Sequence, residues 1–105
     1  LEDYDFEYSE EQEEKTEERE RAFQIEKEDL RFILSTRIGR RFVWRLLENS
    51  GVFSTSFSSD ALLTAFKEGN RNTGLSLLTA IQDADAEKYC EMLRESKEDL
   101  ANGNN

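Results

Sequence analysis

From Phe23 onward, apolar residues recur at the three- and four-residue steps of a helix. Phe23, Leu30 and Leu34, with Ile33 beside them, form a first stripe. Ser35-Thr36 interrupts it, and Thr36 is placed to N-cap a second helix running to about Glu48. There Ile38, Phe42 and Leu46 fall at i, i+4 and i+8, with Val43 and Leu47 widening the face. Asn49-Ser50-Gly51 ends this helix, glycine being favoured just past a helix end. The connector VFSTSF, residues 52–57, carries two phenylalanines expected to tuck into the core. Ser58-Ser59-Asp60 is a start signal for a third helix, from Ala61 to about Gln82. Leu62, Phe66, Thr73, Leu77 and Ile81 share one face of it, with Leu63 and Leu78 at the border. Gly69 and Gly74 lie inside this helix, where each costs about 1 kcal/mol relative to alanine. Close packing against another backbone is the first explanation, and a kink near Asn70-Arg71-Asn72 the second. Asp83-Ala84-Asp85 restarts a fourth helix, which buries Tyr89, Met92 and Leu93 and holds Cys90 as a small core residue.

The first 22 residues read differently. Tyr4, Phe6 and Tyr8 alternate with acids, a period of two that puts three rings on one side of an extended strand. Residues 10–22 are rich in the helix formers Glu, Gln, Lys and Arg, but several Glu pairs sit at the repulsive i,i+4 spacing. This stretch is therefore read as conditionally helical. Residues 1–20 hold eleven acids against Lys15 and Arg19, a balance of −9 out of a formal net charge of −10 for the 105-residue chain. The remainder, with thirteen acids and twelve bases, is close to neutral. The fold class expected is all-α: a small bundle of about four short helices over residues 23–98. An acidic, partly extended or conditionally helical arm precedes it at 1–22, and a C-terminal tail follows at 99–105. The absence of proline supports the helical reading.

Composition narrows the chemistry. The chain has no histidine, which excludes His-based nucleophile systems and His-ligated metal sites. The carboxylates crowd into an arm where nothing excludes water or shifts a pKa. No enzyme activity, cofactor or metal is expected. A single cysteine fits a reducing compartment. No apolar run approaches the roughly 20 residues that span a bilayer, so no membrane partner is expected.

Two features suggest binding instead. Arg37, Arg41 and Arg45 fall at i, i+4 and i+8, with Arg40 and Arg31 extending the stripe and Trp44 bordering it. Guanidinium groups make bidentate contacts with carboxylates or phosphates, and tryptophan adds a cation–π face. The stripe reads either as a solvated basic edge of a core helix or as a surface for acidic protein, including a neighbouring copy's arm. Nucleic acid is the weaker alternative, because the arm's charge opposes phosphate. The second feature is the Tyr4, Phe6, Tyr8 row. Solvating tails are poor in aromatics, so these rings read as a docking segment that orders on a partner. Arg71 and Asn72, beside Gly69, are further candidates for hydrogen bonds to a partner's backbone.

The segments GRRFVWRLLENSGVF and AFKEGNRNTGLSLLTAIQDADAEKYCEM resemble a family of small tailed-bacteriophage proteins first named in a Bordetella phage. The matching positions are Gly39, Arg40, Arg41, Phe42, Trp44, Leu46, Leu47, Gly51 and Phe53. They continue with Phe66, Glu68, Gly69, Arg71, Asn72, Gly74, Leu75, Leu78, Tyr89 and Met92. The likeness spans roughly residues 29–95 and departs at Asn70, where the pattern has arginine. The resemblance implies a podovirus-like genome and a gene among those for virion structure and packaging. It thereby implies a virion location, with host cytoplasm during assembly. The partners implied are phage structural proteins of the portal, head–tail connector or inner head, met by several copies in a symmetric assembly. A scaffold-like assembly factor, an ejected internal protein or a nucleic-acid-binding regulator are the alternatives.

Overall fold

Thr36 caps the second helix as its sequence suggests: its backbone is extended and its hydroxyl accepts the Gly39 N–H. Asp60 does the same for the third helix, accepting from Leu62 and Leu63 N–H. These two caps frame a computed structural model that describes residues 2–103, with side chains described from Phe6 onward. Three helices follow one another: α1 (Glu2–Leu34), α2 (Arg37–Asn49) and α3 (Ala61–Ala101). The fold is all-α, and no strand occurs among the described residues.

The separate fourth helix is not present. α3 continues to Ala101 through one kink, at Asp85, whose φ of −166° and ψ of 95° are extended. The break sits where the sequence places a restart: one extended residue joins two helical segments within the single span of α3. The carbonyls just ahead of such a break lose their intrahelical partners. Arg31 answers one of them, its Nε donating to Ala84 O at 2.6 Å. A cation at the end of the first helical segment also matches the segment's dipole.

The N-terminal arm is a further correction. It is not extended: from Glu2 it forms the first two-thirds of α1, and residues 10–22, read as conditionally helical, are helix. Helix propagation is cheap once a nucleus exists, and the packed turns around Leu30 and Leu34 supply one. Acids near a helix N-terminus also interact favourably with its dipole. Phe6 and Tyr8, two residues apart on a helix, point roughly 200° apart, so they do not share one side. Both are exposed. Tyr4 falls within the span of α1, but its side chain lies outside the described residues.

A small core joins the helices: Leu30 and Leu34 from α1, Val43 and Leu47 from α2, Val52 from the connector, and Ile81, Ala84 and Met92 from α3. Each of the larger side chains contributes about 1.5–3 kcal/mol by leaving water. Only the flank of the face expected on α2 is covered. Val43 and Leu47 are the buried pair, whereas Ile38, Phe42 and Leu46 are exposed. Leu62 and Phe66 on α3 are also exposed, as are Phe57 and Cys90, both expected inside. Cys90 lies two residues from the buried Met92 and so on the other side of the helix.

The two α3 glycines separate. A Cβ on Gly74 would overlap the Ser50 side chain at the end of α2, so close packing explains it. Gly69 faces open space. Gly39, not singled out for packing from the sequence, is the other tight point: a Cβ there would overlap the Ile33 carbonyl. Gly51 ends α2 with φ of 76°, and Asn70 Nδ2 donates to the Asn49 carbonyl at 3.0 Å.

The result is long and thin, with extents of 67 × 40 × 15 Å. The Cα radius of gyration is 19.3 Å, against about 13 Å for a compact chain of 100 residues. The helices form essentially one layer, so much of each helix has no second layer over it.

Candidate functional site

The arginines of α2 meet acids, but the acids belong to the same chain. Glu91, Glu95 and Asp99 recur every four residues in the last turns of α3, the same spacing as Arg37, Arg41 and Arg45. α2 lays its basic edge against them. Arg40 Nε donates to Glu95 Oε1 at 2.6 Å, and its Nη2 lies 3.4 Å from Glu91 Oε1. Its Nη1 donates to the Leu34 carbonyl at 3.0 Å, one of the acceptors left open at the end of α1. A single guanidinium therefore ties α1, α2 and α3 together. Arg37 Nη2 donates to Asp99 Oδ1 at 2.8 Å, while its Nε lies 3.4 Å from Glu95. Arg41 Nε sits 3.5 Å from Asp99 Oδ2.

Glu95 and Asp99 are buried, and Arg40 nearly so. Two buried carboxylates would be costly alone, and the guanidinium contacts are what permit them. The hydrogen bond that Arg37 donates to Asp99 raises the Arg37 pKa, with smaller contributions from the charges of Asp99, Glu95 and Glu98. The Glu91 carboxyl is held below its ordinary value, first by the Lys88 hydrogen bond at 3.0 Å and then by the charges of Arg40, Lys88 and Arg94. Asp99 was placed in the tail by its position in the sequence, but α3 continues past it.

Trp44 is half-buried beside this corner. It stacks on Phe53, with ring centroids 5.1 Å apart, and tilts against Tyr89 at 6.2 Å. Phe53, expected in the core with the other connector ring, is 48% exposed and covers Trp44 from outside. Arg45 is the exception among the arginines: it is exposed and pairs with no carboxylate among the described residues. Arg71 and Asn72 lie far along α3 from the corner. Asn72 instead lines an open groove of about 540 Å³ between α1 and α3, together with Phe23, Leu30 and Leu75. The structure therefore brings together Arg37, Arg40, Arg41 and Trp44. It leaves Phe6, Tyr8, Arg45, Arg71 and Asn72 apart from them.

The sequence reading missed the acidic partner stripe. Its signal was available: Glu91, Glu95 and Asp99 repeat the arginine period, and an acid and a base stripe of one spacing suit two packed helices. The far larger number of acids in the arm masks that signal.

Among the described residues, no helix is long and apolar enough to cross a membrane. The sequence profile of the Bbp19-like phage protein family matches residues 27–94. That is well over half of the chain, which belongs to this family and bears out the resemblance seen in its motifs. No curated protein and no solved structure matches it.

Proposed function

We propose that this member of the Bbp19-like phage protein family is a non-enzymatic structural protein of the virion. In this reading several copies bind at the portal, head–tail connector or inner head. The observation that carries the reading is the apolar surface left open by the one-layer fold. Ile38, Phe42, Phe57, Leu62 and Phe66 are all more than half exposed. Large apolar side chains left exposed in this number point to a protein contact surface.

The chemistry of the corner supports binding over catalysis. Its arginines and acids neutralise one another, leaving no free nucleophile or base, and the chain has no histidine. The same pairing disfavours nucleic acid, because Arg37, Arg40 and Arg41 are already occupied by carboxylates. The acidic first turns of α1 would reach an adjacent protein, with Phe6 and Tyr8 as exposed rings for it. A transient assembly role is the second reading, favoured by the exposed acidic length of α1 acting as a spacer.

The test is deletion of residues 1–22. The expected outcome is a folded remainder that no longer enters particles. Normal incorporation of the truncated protein would overturn the role given to the arm. Mass spectrometry of mature particles separates the two readings, since a scaffold leaves before maturation.

A further inference from the structure

We infer that copies of this chain dock head to tail, the outer face of α1 in one copy against the outer face of α2 in the next. The inference deepens the proposed structural role and rests on it only for the setting in which the copies meet.

Both helices are apolar on two sides. On α1, Leu30 and Leu34 face the core, while Ile25 and Phe32, two turns apart, lie on the other side and are 57% and 80% exposed. On α2, Val43 and Leu47 face the core, while Ile38 and Phe42 point away, 78% and 56% exposed, with Leu46 on the flank. A helix that is apolar on more than one side is ordinarily covered on more than one side. Nothing among the described residues covers these faces.

Charge selects the occupant. Arg45 stands directly opposite the core side of α2, next to Phe42, and has no carboxylate among the described residues. Arg41, beside it, already contacts Asp99. The outer face of α1 carries Glu28 between Ile25 and Phe32, and Glu14 and Glu18 further along, with Arg21 as the one base there. Two α2 faces brought together would oppose arginine to arginine, and two α1 faces would oppose acid to acid. Only the mixed pair joins apolar to apolar and base to acid, with Arg45 near Glu28 of the next copy.

The area is of the right order. At roughly 200 Å² for a large side chain, the exposed parts of Ile25, Phe32, Ile33, Ile38, Phe42 and Leu46 come to about 700 Å². A standard interface buries about 1,600 Å², a little over half of it apolar. Because the two faces differ, each copy uses one of each, and such contacts generate rings or open chains rather than isolated dimers.

The experiment is sedimentation velocity of the purified full chain across the micromolar range, with Phe32→Glu and Phe42→Glu variants. Both positions are mostly exposed, so circular dichroism should show unchanged helix. The wild type should form species larger than dimers. Each variant alone should sediment as a monomer, and an equimolar mixture should form a 1:1 heterodimer, since one intact face of each kind remains. A charge exchange provides a second arm: Glu28→Arg and Arg45→Glu should each weaken association at least tenfold, and the double variant should regain it. A wild type that is monomeric throughout, or one variant that still self-associates, overturns the inference. Particle incorporation is scored separately, so a monomer that still enters particles sinks head-to-tail docking and leaves the virion role standing.

Discussion

The corner where α2 meets the end of α3 and the free N-terminal turns of α1 are both dense in charge, yet charge does opposite work in them. At the corner, acids and arginines alternate across two helices, and the carboxylates of Glu95 and Asp99 are buried against guanidinium groups. Along the first turns of α1, Glu10, Glu11, Glu13, Glu14, Glu17 and Glu18 are all exposed, ahead of the part of the helix that packs on the core. Density of charge therefore says little about function by itself. A partner stripe of the same period turns charge into architecture, and without one it remains a solvated face.

The comparison breaks most sharply at Arg40. Arg40→Ala should destabilise the fold by about 3–5 kcal/mol in urea unfolding, because it strands Glu95 in a buried position. For a domain of this size that is a fall in Tm of well over 10 °C. A loss below about 1 kcal/mol would mean that the corner is no more structural than the arm. Gly74→Ala tests the packing beside it. The new methyl group meets Ser50, whose hydroxyl donates to Leu47 O and accepts from Val52 N–H, so it cannot move freely. A loss of about 1–3 kcal/mol is expected. Gly69→Ala, facing open space, should instead stabilise by about 0.5–1 kcal/mol.

The arm should respond far less. Deleting residues 1–22 should change the urea midpoint by no more than the equivalent of about 0.5 kcal/mol, while helical ellipticity falls in proportion to the residues removed. The smallest effect is in pH. Glu91 is held below its ordinary pKa by Lys88 and then by Arg40. Its folded form therefore binds a proton less readily than its unfolded form. The stability it adds is present above the ordinary carboxylate range and is lost as pH falls through the lowered value. Glu91→Gln should flatten the acid limb of the stability curve slightly and leave neutral pH nearly unchanged.

Much of the local structure was legible in the sequence, because caps act through chemistry within a few residues. Thr36, Asp60 and Gly51 mark helix ends where their side chains or backbone freedom require. The disruption near Asp85 was legible too, although as a restart and not as a one-residue kink. Burial was read less well. Ile38, Phe42 and Leu46 form the cleaner periodic stripe, but Val43 and Leu47 are the buried pair. Periodicity shows that a helix has an apolar face and is silent on which of two such faces its own chain covers. In a one-layer fold both questions matter. The arm was misread for a related reason: alternation of Tyr4, Phe6 and Tyr8 suggests a strand only when a strand partner exists, and here the helix propagates from Leu30 and Leu34 instead.

At the candidate site, the arginine cluster was found and its partner was not. Arg37, Arg40 and Arg41 are joined to residues more than fifty positions away. No local rule reaches that distance. The opposed stripes of α2 and α3 become meaningful only once the connector has returned the chain.

The most direct measurement is cryo-EM of purified phage particles, with the protein's stoichiometry taken by mass spectrometry. The predicted result is ordered density in several symmetric copies. In it Arg40 still binds Glu95, and Ile38 and Phe42 are covered by an adjacent chain. Absence from mature particles, or density in which those side chains face solvent, would contradict the account.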